Sequence, residues 1–454
     1  QIFTKKGKSG KPEISFSTQF RDNSLRKKLA YNKYPMRFTN TNITDLSQVA
    51  VQRYDLQDQI FRNAIGSENN ISVSGGNDNT QYYMSGSYLT NQGINRFDFK
   101  QQTSRLIGDF QLNITPIDNL SINYTLGYDN STQLATGFIP INNTTPTYNT
   151  GYSRRADRLA LLLNNDLNVA YKAQIGSWLQ SSTGLGATAQ TERISLSSIT
   201  GTQLSPYSQV ASAAATIVST DARSTLNILG FYLQETLGFG NRLFLTGAIR
   251  NDVASSFGAN NRWQYYPKLS ASYLLSEESF WKNSSIASIV PTLKIRASYG
   301  QSGNLTAIGA YDRYSNYTSV SLAGLPGAIA SSQQGNPNIK PERQTEREIG
   351  MDASFLKDRL GFEFSYYQKD VKDLLLFSNL RPTSGFSTQL QNIGNMTNKG
   401  LELLVRGIPV QTTNFRWNST IIFSKNKNKV FDVPGGVLTF PGGFGQVAAV
   451  NGYS

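Results

Sequence analysis

The sequence predicts an all-β protein, a large antiparallel transmembrane β-barrel, and three observations carry that expectation. The first is the stretch Thr103 to Asp129, in which two segments alternate strictly between apolar and polar side chains. Such a period of two puts alternate residues on opposite faces of a strand, and about 9–11 tilted residues suffice to cross a bilayer. The second is a charged fraction of 16%, against roughly 25% in ordinary soluble domains, with no apolar run of about 18 residues that would read as a membrane helix. The third is that hairpin signals recur along most of the chain, as in outer-membrane barrels.

Taken in order, residues 1–12 read as the end of a preceding domain or a linker, and residues 13–20 alternate as a first strand. Residues 21–66 hold scattered charge and read as loop with a short helix around Leu46 to Phe61. Ile71 to Gly76 and Gln81 to Thr90 form a hairpin across Asn77-Asp78-Asn79, where preceding glycines and Asx residues favour a turn over a calcium loop. In the next pair Leu106, Gly108, Phe110, Leu112 and Ile114 share a face with Leu120, Ile122, Tyr124, Leu126 and Tyr128. Asp109, Gln111, Asn113, Ser121, Asn123 and Thr125 lie opposite and are expected to face the lumen. Thr115 to Asn119 is expected to turn on the periplasmic side.

Residues 130–157 are rich in Thr, Asn and Pro and read as an exposed loop. Strand patterns resume at Leu161–Tyr171, Trp178–Ser195, Thr225–Gly238, Arg242–Val253, Tyr265–Leu275 and Leu293–Gly300. A second long loop is expected over 301–340. Hairpins then follow at Thr345–Phe355 with Leu360–Lys369 and at Lys399–Arg406 with Phe415–Lys425. The count comes to about 14–15 strands, with short turns at one end and long loops at the other, the loops outside the cell. Tyr82, Tyr88, Tyr124, Tyr128, Tyr273 and Tyr366 are expected in the aromatic girdles.

The chain has no Cys and no His. Cys-ligated or His-ligated metals, haem held by His and Ser–His or Cys–His nucleophile systems are thereby excluded. No enzyme and no cofactor are expected; Ser331-Ser332 has no base partner in sight. The net charge is +13, but the basic residues are dispersed and no nucleic-acid motif accompanies them, so they read as loop and rim charge facing acidic lipid rather than nucleic acid.

Several segments, in order, resemble the TonB-dependent transporters of the Bacteroidota, the SusC/RagA-like family. Thr4 to Lys11 resembles the exit from that family's plug domain. Asp55 to Arg62 resembles the segment before an early strand, where the family often has Trp in place of Leu56. Asn70 to Gly76, with Gly75 and Gly76, resembles the hairpin that follows. Leu293 to Asn304, with Gly300, Gly303 and Asn304, is similar to a strand-and-loop motif. So is Gly335-Asn336-Pro337-Asn338-Ile339-Lys340-Pro341-Glu342 followed by Glu348-Ile349-Gly350, and so is Asn392 to Glu402 with Gly400. These motif residues are expected to be structural. Pro341 would end a loop, since proline fixes its own backbone and biases Lys340 to extended geometry. Glu342 would anchor a strand end rather than touch a ligand.

The resemblance implies that residues 13–454 are the first two-thirds or so of a 22-stranded barrel, with plug, TonB-binding segment and last strands outside this sequence. It further implies import of oligosaccharides or oligopeptides across the outer membrane. A SusD-like lipoprotein would lid the mouth, TonB would supply energy through the plug, and outer-membrane lipids, lipopolysaccharide and possibly further outer-membrane proteins would be neighbours. Two alternatives stay open at this point: a barrel kept as a non-transporting scaffold, and a passive porin.

Overall fold

The computed structural model describes residues 7–31, 33–39, 47–55, 57–95, 99–143, 146–440 and 447–453. Fifteen strands form one sheet. They are β1 (Gly10–Asn23), β2 (Ala64–Gly76), β3 (Thr80–Gln92), β4 (Phe99–Ile117), β5 (Leu120–Ile141), β6 (Thr150–Ile175), β7 (Leu179–Leu204) and β8 (Ala214–Phe239), followed by β9 (Leu243–Ala254), β10 (Trp263–Leu274), β11 (Thr292–Asn304), β12 (Glu342–Phe355), β13 (Leu360–Lys372), β14 (Asn395–Gln411) and β15 (Arg416–Phe431). Spatial order follows chain order, each strand antiparallel to the next. Among the described residues the edge strands β1 and β15 are not paired with each other.

Register gives the sheet two chemically distinct faces. Phe110 pairs Leu126, Leu112 pairs Tyr124 and Ile114 pairs Ile122. The same face continues through Leu167, Ala187, Phe231 and Asn251, and further on through Ala297, Ile349, Tyr366 and Leu401. It is the apolar, outer face, and its large side chains stand exposed, Leu269 at 62% and Ile349 at 59%. All six girdle tyrosines lie on it by register. The opposite face collects Asp109, Gln111, Asn113, Ser121, Asn123 and Thr125 with Asp166 and Asn168. The alternation thus fixes which residues meet lipid, since a slip of one residue would reverse every side chain.

Short turns close one end, at Asn77 to Asn79, Asp118-Asn119, Gly176 to Trp178, Gly240 to Arg242, Leu356 to Arg359 and Thr412 to Phe415. In one of them Gly240 and Asn241 take successive positive φ values of 54° and 57°, the twist that suits a tight hairpin. The connection 275–291 departs from this rule and carries the short helices Ser279–Lys282 and Ile286–Ile289.

Several boundaries differ from the sequence reading. The expected loop 130–157 is largely strand: β5 runs to Ile141 and β6 begins at Thr150. Likewise β7 and β8 extend well past Ser195 and start well before Thr225. Each of β6, β7 and β8 is 26 residues long, where about 9–11 span a bilayer. The surplus projects into water, where neither face is required to be apolar, so the ladder persists after alternation has lapsed. Thr115 and Pro116 do not end β4; they sit in a register shift between Ile114 and Ile117, a place where a proline without an N–H is tolerated. The first strand starts at Gly10, so residues 10–12, expected in the end of a preceding domain or a linker, belong to the sheet. Of the helix expected around Leu46 to Phe61 only Gln57–Ile60 is helical, and Gln48–Ala50 pairs with Met36–Phe38; Leu46 lies outside the described residues, as do residues 4–6 of the plug-exit motif and Leu56. The expected loop 301–340 contains a hairpin, Tyr317–Leu322 with Leu325–Ala330.

Candidate functional site

Two structures in this sheet present chemistry to a solute: the polar inner wall and a platform of loops at its open end. On the wall, β11 supplies Lys294 and Arg296, two residues apart and therefore on one face. Arg296 donates to Glu348 and to Asp352 (3.3 Å) of β12 and to Ser365 of β13. Lys294 pairs with Asp352 at 2.7 Å. Further round, Lys369 faces Glu346, Tyr232 donates to Asn168 (2.7 Å) and Arg250 donates to Asp252 and Thr188. Charges of both signs are thus fixed in pairs along the wall.

Gly350 and Gly400 are part of this wall. A Cβ on Gly350 would lie 2.5 Å from the Arg296 guanidinium carbon, and one on Gly400 would lie 2.5 Å from the Tyr367 ring. Each glycine lets a long side chain from the neighbouring strand lie flat across the backbone. This is a packing reason for glycine in a strand interior.

The platform brings together connections 255–262, 305–341 and 373–394. Phe257, Ile308, Ile339 and Leu390 pack with Ala254 into a small apolar core, Phe257 and Ile339 fully buried. Above it the Asn336 to Glu342 segment is tied down at nearly every residue. Gly258 N–H donates to the Ile339 carbonyl (3.1 Å), and Asn261 donates to the Asn338 carbonyl (2.7 Å). Asn336 donates to the Leu390 carbonyl (3.0 Å). Asn392 closes a reciprocal pair, accepting from Lys340 N–H (3.0 Å) and donating to the Lys340 carbonyl (2.7 Å). Glu342 accepts from the Leu375 N–H (2.8 Å) and from Asn304 (3.2 Å). The Pro337 carbonyl sits so close to Gly258 that a Cβ there would come within 2.0 Å.

Motifs spread from Gly303 to Asn395 in sequence thus meet in one place. Gly303 lies against the Tyr266 hydroxyl, where a Cβ would be 1.8 Å away, and Pro341 directly precedes β12. Gly75 and Gly76 sit apart, at the opposite end beside Tyr82 and Thr80, with Gly76 at φ +139°. Gly300 has open space around it, and nothing in the structure explains it. The sequence reading missed Arg296, Gly258, Tyr266 and Tyr367. A signal for Arg296 existed: Lys294 and Arg296 share one face of β11, opposite Glu348 and Asp352 of β12. Gly258 lies in no such pattern. Among the described residues no cluster of three metal-ligating side chains occurs.

An amphipathic antiparallel meander of this size, apolar outside and charged within, is the wall of an outer-membrane β-barrel. Residues 14–449 match the family described as TonB dependent receptor-like, beta-barrel, and the chain belongs to that family. It is 34% identical to TonB-dependent receptor P26 of Formosa agariphila over 221 residues, 48% of this chain and 22% of that protein. It is 27% identical to TonB-dependent receptor SusC of Bacteroides thetaiotaomicron over 203 residues, 43% of this chain and 20% of that protein. Among solved structures, the RagAB peptide transporter superimposes with a TM-score of 0.73 at 19% identity, covering 88% of this chain and 55% of that one. The RagAB peptide importer in its closed-closed state gives 0.74 at 17% identity, covering 99% and 64%. The matched segments are thus about a fifth of the length of those curated relatives. The SusC/RagA-like resemblance read from the motifs agrees with both sets of neighbours.

Proposed function

We propose that the chain forms the wall of a TonB-dependent importer that carries oligosaccharides or oligopeptides across the outer membrane. A SusD-like lipoprotein would close the loop end, and energy would arrive from TonB through a plug seated in the lumen. The observation that carries this reading is the rigid loop platform at the open end of a wide, polar-lined wall, in a chain of the TonB dependent receptor-like family. The inner wall offers paired donors and acceptors suited to a hydrophilic solute and to a plug surface. The family-motif residues Gly75, Gly76, Gly303, Asn304, Asn336, Pro337, Pro341, Glu342, Gly350 and Gly400 would hold this scaffold rather than touch cargo.

The test is uptake of labelled oligopeptide and oligosaccharide pools by cells carrying the full-length gene, with and without TonB. Uptake that collapses in the TonB deletion, together with co-purification of a surface lipoprotein, is expected. Uptake at an unchanged rate without TonB would reject the reading and favour a passive pore.

A further inference from the structure

The ladder between β10 and β11 parts on its way to the loop end. The last pair is Lys268 with Gly300. Beyond it β10 continues on β9 as far as Trp263, opposite Val253, and β11 continues on β12 as far as Asn304, opposite Glu342. Pro267, with no N–H to give, stands just above that last pair. Among the described residues no backbone hydrogen bond crosses from 263–267 to 301–304, so two strand edges stand free inside the sheet. Higher up, the Gly258 N–H on the Ile339 carbonyl and the Asn261 amide on the Asn338 carbonyl join the connections that lead into β10 and β12. The fork is thereby framed below, above and on both flanks, and forms a window in the wall.

Tyr266, Gln264 and Arg343 fill the window. The Tyr266 ring lies over Gly303, where a Cβ would come within 1.8 Å of the hydroxyl. Arg343, the cross-strand partner of Gly303, reaches past it to donate to Gln264 (3.0 Å) and to stand 5.8 Å from the centre of the Tyr266 ring. Only 4% of Tyr266 is exposed, yet its hydroxyl has no hydrogen-bond partner. A buried hydroxyl left unpaired is costly, and this one is aimed into the window. The Nε of Arg262, the residue before β10, is likewise buried without a partner. Among the described residues neither Arg262 nor Arg343 has an ion pair, whereas Arg250, opposite Tyr266, already neutralises Asp252 at 2.8 Å.

We propose that this window is a cargo subsite for the C-terminal end of an extended oligopeptide, its backbone along the free edge of β10 and its carboxylate on the Arg343 guanidinium and the Tyr266 hydroxyl. The inference rests on the importer reading above and narrows its cargo to peptides. A free strand edge offers N–H and C=O groups in an alternation that another polypeptide backbone continues and a sugar chain does not. A guanidinium with no anion of its own, beside a donor hydroxyl, suits a carboxylate. A strand laid on this edge cannot run past Lys268, where the ladder resumes, and that favours a chain end. Tyr266 can turn out without breaking a hydrogen bond of its hydroxyl, and Arg343 exchanges a bond to the neutral Gln264 amide for a charge-assisted one.

The full-length protein, purified with its partners, is titrated by isothermal calorimetry with three probes. These are a neutral peptide of mixed sequence with a free C-terminus, the same peptide amidated, and a linear oligomer of uronic acid. The free peptide is expected to bind about tenfold tighter than the amidated one, the size of one strong charge-assisted contact. Arg343→Gln should erase that preference, and Lys282→Gln, in the connection at the opposite end, should leave it intact. Tyr266→Phe should weaken the free peptide by about fivefold, the loss of one hydrogen bond, with heat-modifiable gel mobility unchanged. A hydroxyl that served packing alone has no partner to lose, and its removal would leave binding as it was. No binding of the free peptide, equal binding of the two peptides, or a preference that survives Arg343→Gln overturns the proposal. Uronate binding that matches the free peptide and falls with Arg343→Gln overturns it too, since the window would then read a carboxylate without a backbone. Uptake with and without TonB, measured on the same variants, separates the two readings. TonB-dependent uptake with no carboxylate preference rejects the window alone, and uptake indifferent to TonB rejects the importer.

Discussion

The inner wall is built from the strands and the loop platform from the connections between them, and the two hold their shape by different means. On the wall, spacing is set by the backbone ladder, and the side chains that cross it, Arg296 and Tyr367 above all, are long and lie over glycines. Among the described residues the platform has only two small sheets of its own, Tyr317–Leu322 with Leu325–Ala330 and Gln333–Gln334 with Thr388–Asn392 and Leu375–Asn379, and the segment Asn336 to Glu342 lies outside their ladders. Shape comes from side-chain amides and a carboxylate bound to the backbone, Asn336, Asn392 and Glu342, over a core of Phe257, Ile339 and Leu390. A wall of this kind gives way by moving a side-chain end; a platform of this kind has only backbone to move. Substitutions at equally crowded glycines should therefore have unequal consequences.

The largest effect is expected at Gly258→Val. Its neighbour is the Pro337 carbonyl, a backbone atom fixed by the surrounding hydrogen bonds. Loss of about 4 kcal/mol of local stability, at the upper end for single substitutions, should make 305–341 and 373–394 sensitive to limited proteolysis on whole cells. The barrel itself should keep its heat-modifiable mobility. Gly400→Ala and Gly350→Ala come next, at about 1–3 kcal/mol for overpacking. Gly400→Ala should be the milder, because the Tyr367 ring can swing while Arg296 is held by three partners. If Gly258→Val proved no worse than Gly400→Ala, the distinction between the two regions would fail.

A fourth substitution sharpens the platform side. Asn392→Ala removes both halves of the clamp on Lys340 and also a donor to the Asp373 carbonyl (3.0 Å). The expected loss is about 1–3 kcal/mol from the unpaired backbone groups left behind, read as faster amide exchange from 336 to 342. Glu342→Gln keeps an acceptor for Leu375 N–H and should give a smaller change on the same measurement.

How much of this was open to sequence reading follows from where alternation is enforced. Between Leu106 and Tyr128 every other residue meets lipid, so both the faces and the partners of these strands were legible. Beyond Asn130 the strand continues with water on both sides, and its Thr, Asn and Pro content looks like loop although the ladder runs to Ile141. The segment Asn336 to Glu342 could be read as a motif but not as a place, because its partners Gly258, Asn261, Leu390 and Asn392 come from two other connections. Arg296 could have been found from the spacing of opposite charges on β11 and β12. The Gly258 contact could not, since a close approach to a carbonyl leaves no mark in composition or period.

The smallest effect is expected in the connection between β1 and β2, which among the described residues has no counterpart to the Phe257 core. There Asp55 accepts from the Gln57 N–H (3.0 Å) and side-chain amide (3.0 Å), and Gln57 in turn clamps Leu29, accepting from its N–H (2.7 Å) and donating to its carbonyl (2.9 Å). The Gln57 backbone N–H, with smaller help from the side-chain amide and from Lys28 and Lys33, holds the Asp55 carboxyl below its ordinary value of 3.8. A carboxyl lowered in the folded state adds stability that is present in full above its unfolded pKa and is lost as pH falls through its folded one. Asp55→Asn retains an acceptor but not the charge. Amide exchange at Leu29 and Gln57 should therefore be slightly faster than wild type at pH 7, and the two proteins should converge below the carboxylate range. A difference that persisted at low pH would mean that the clamp depends on the shape of the Asp55 side chain and not on its ionisation.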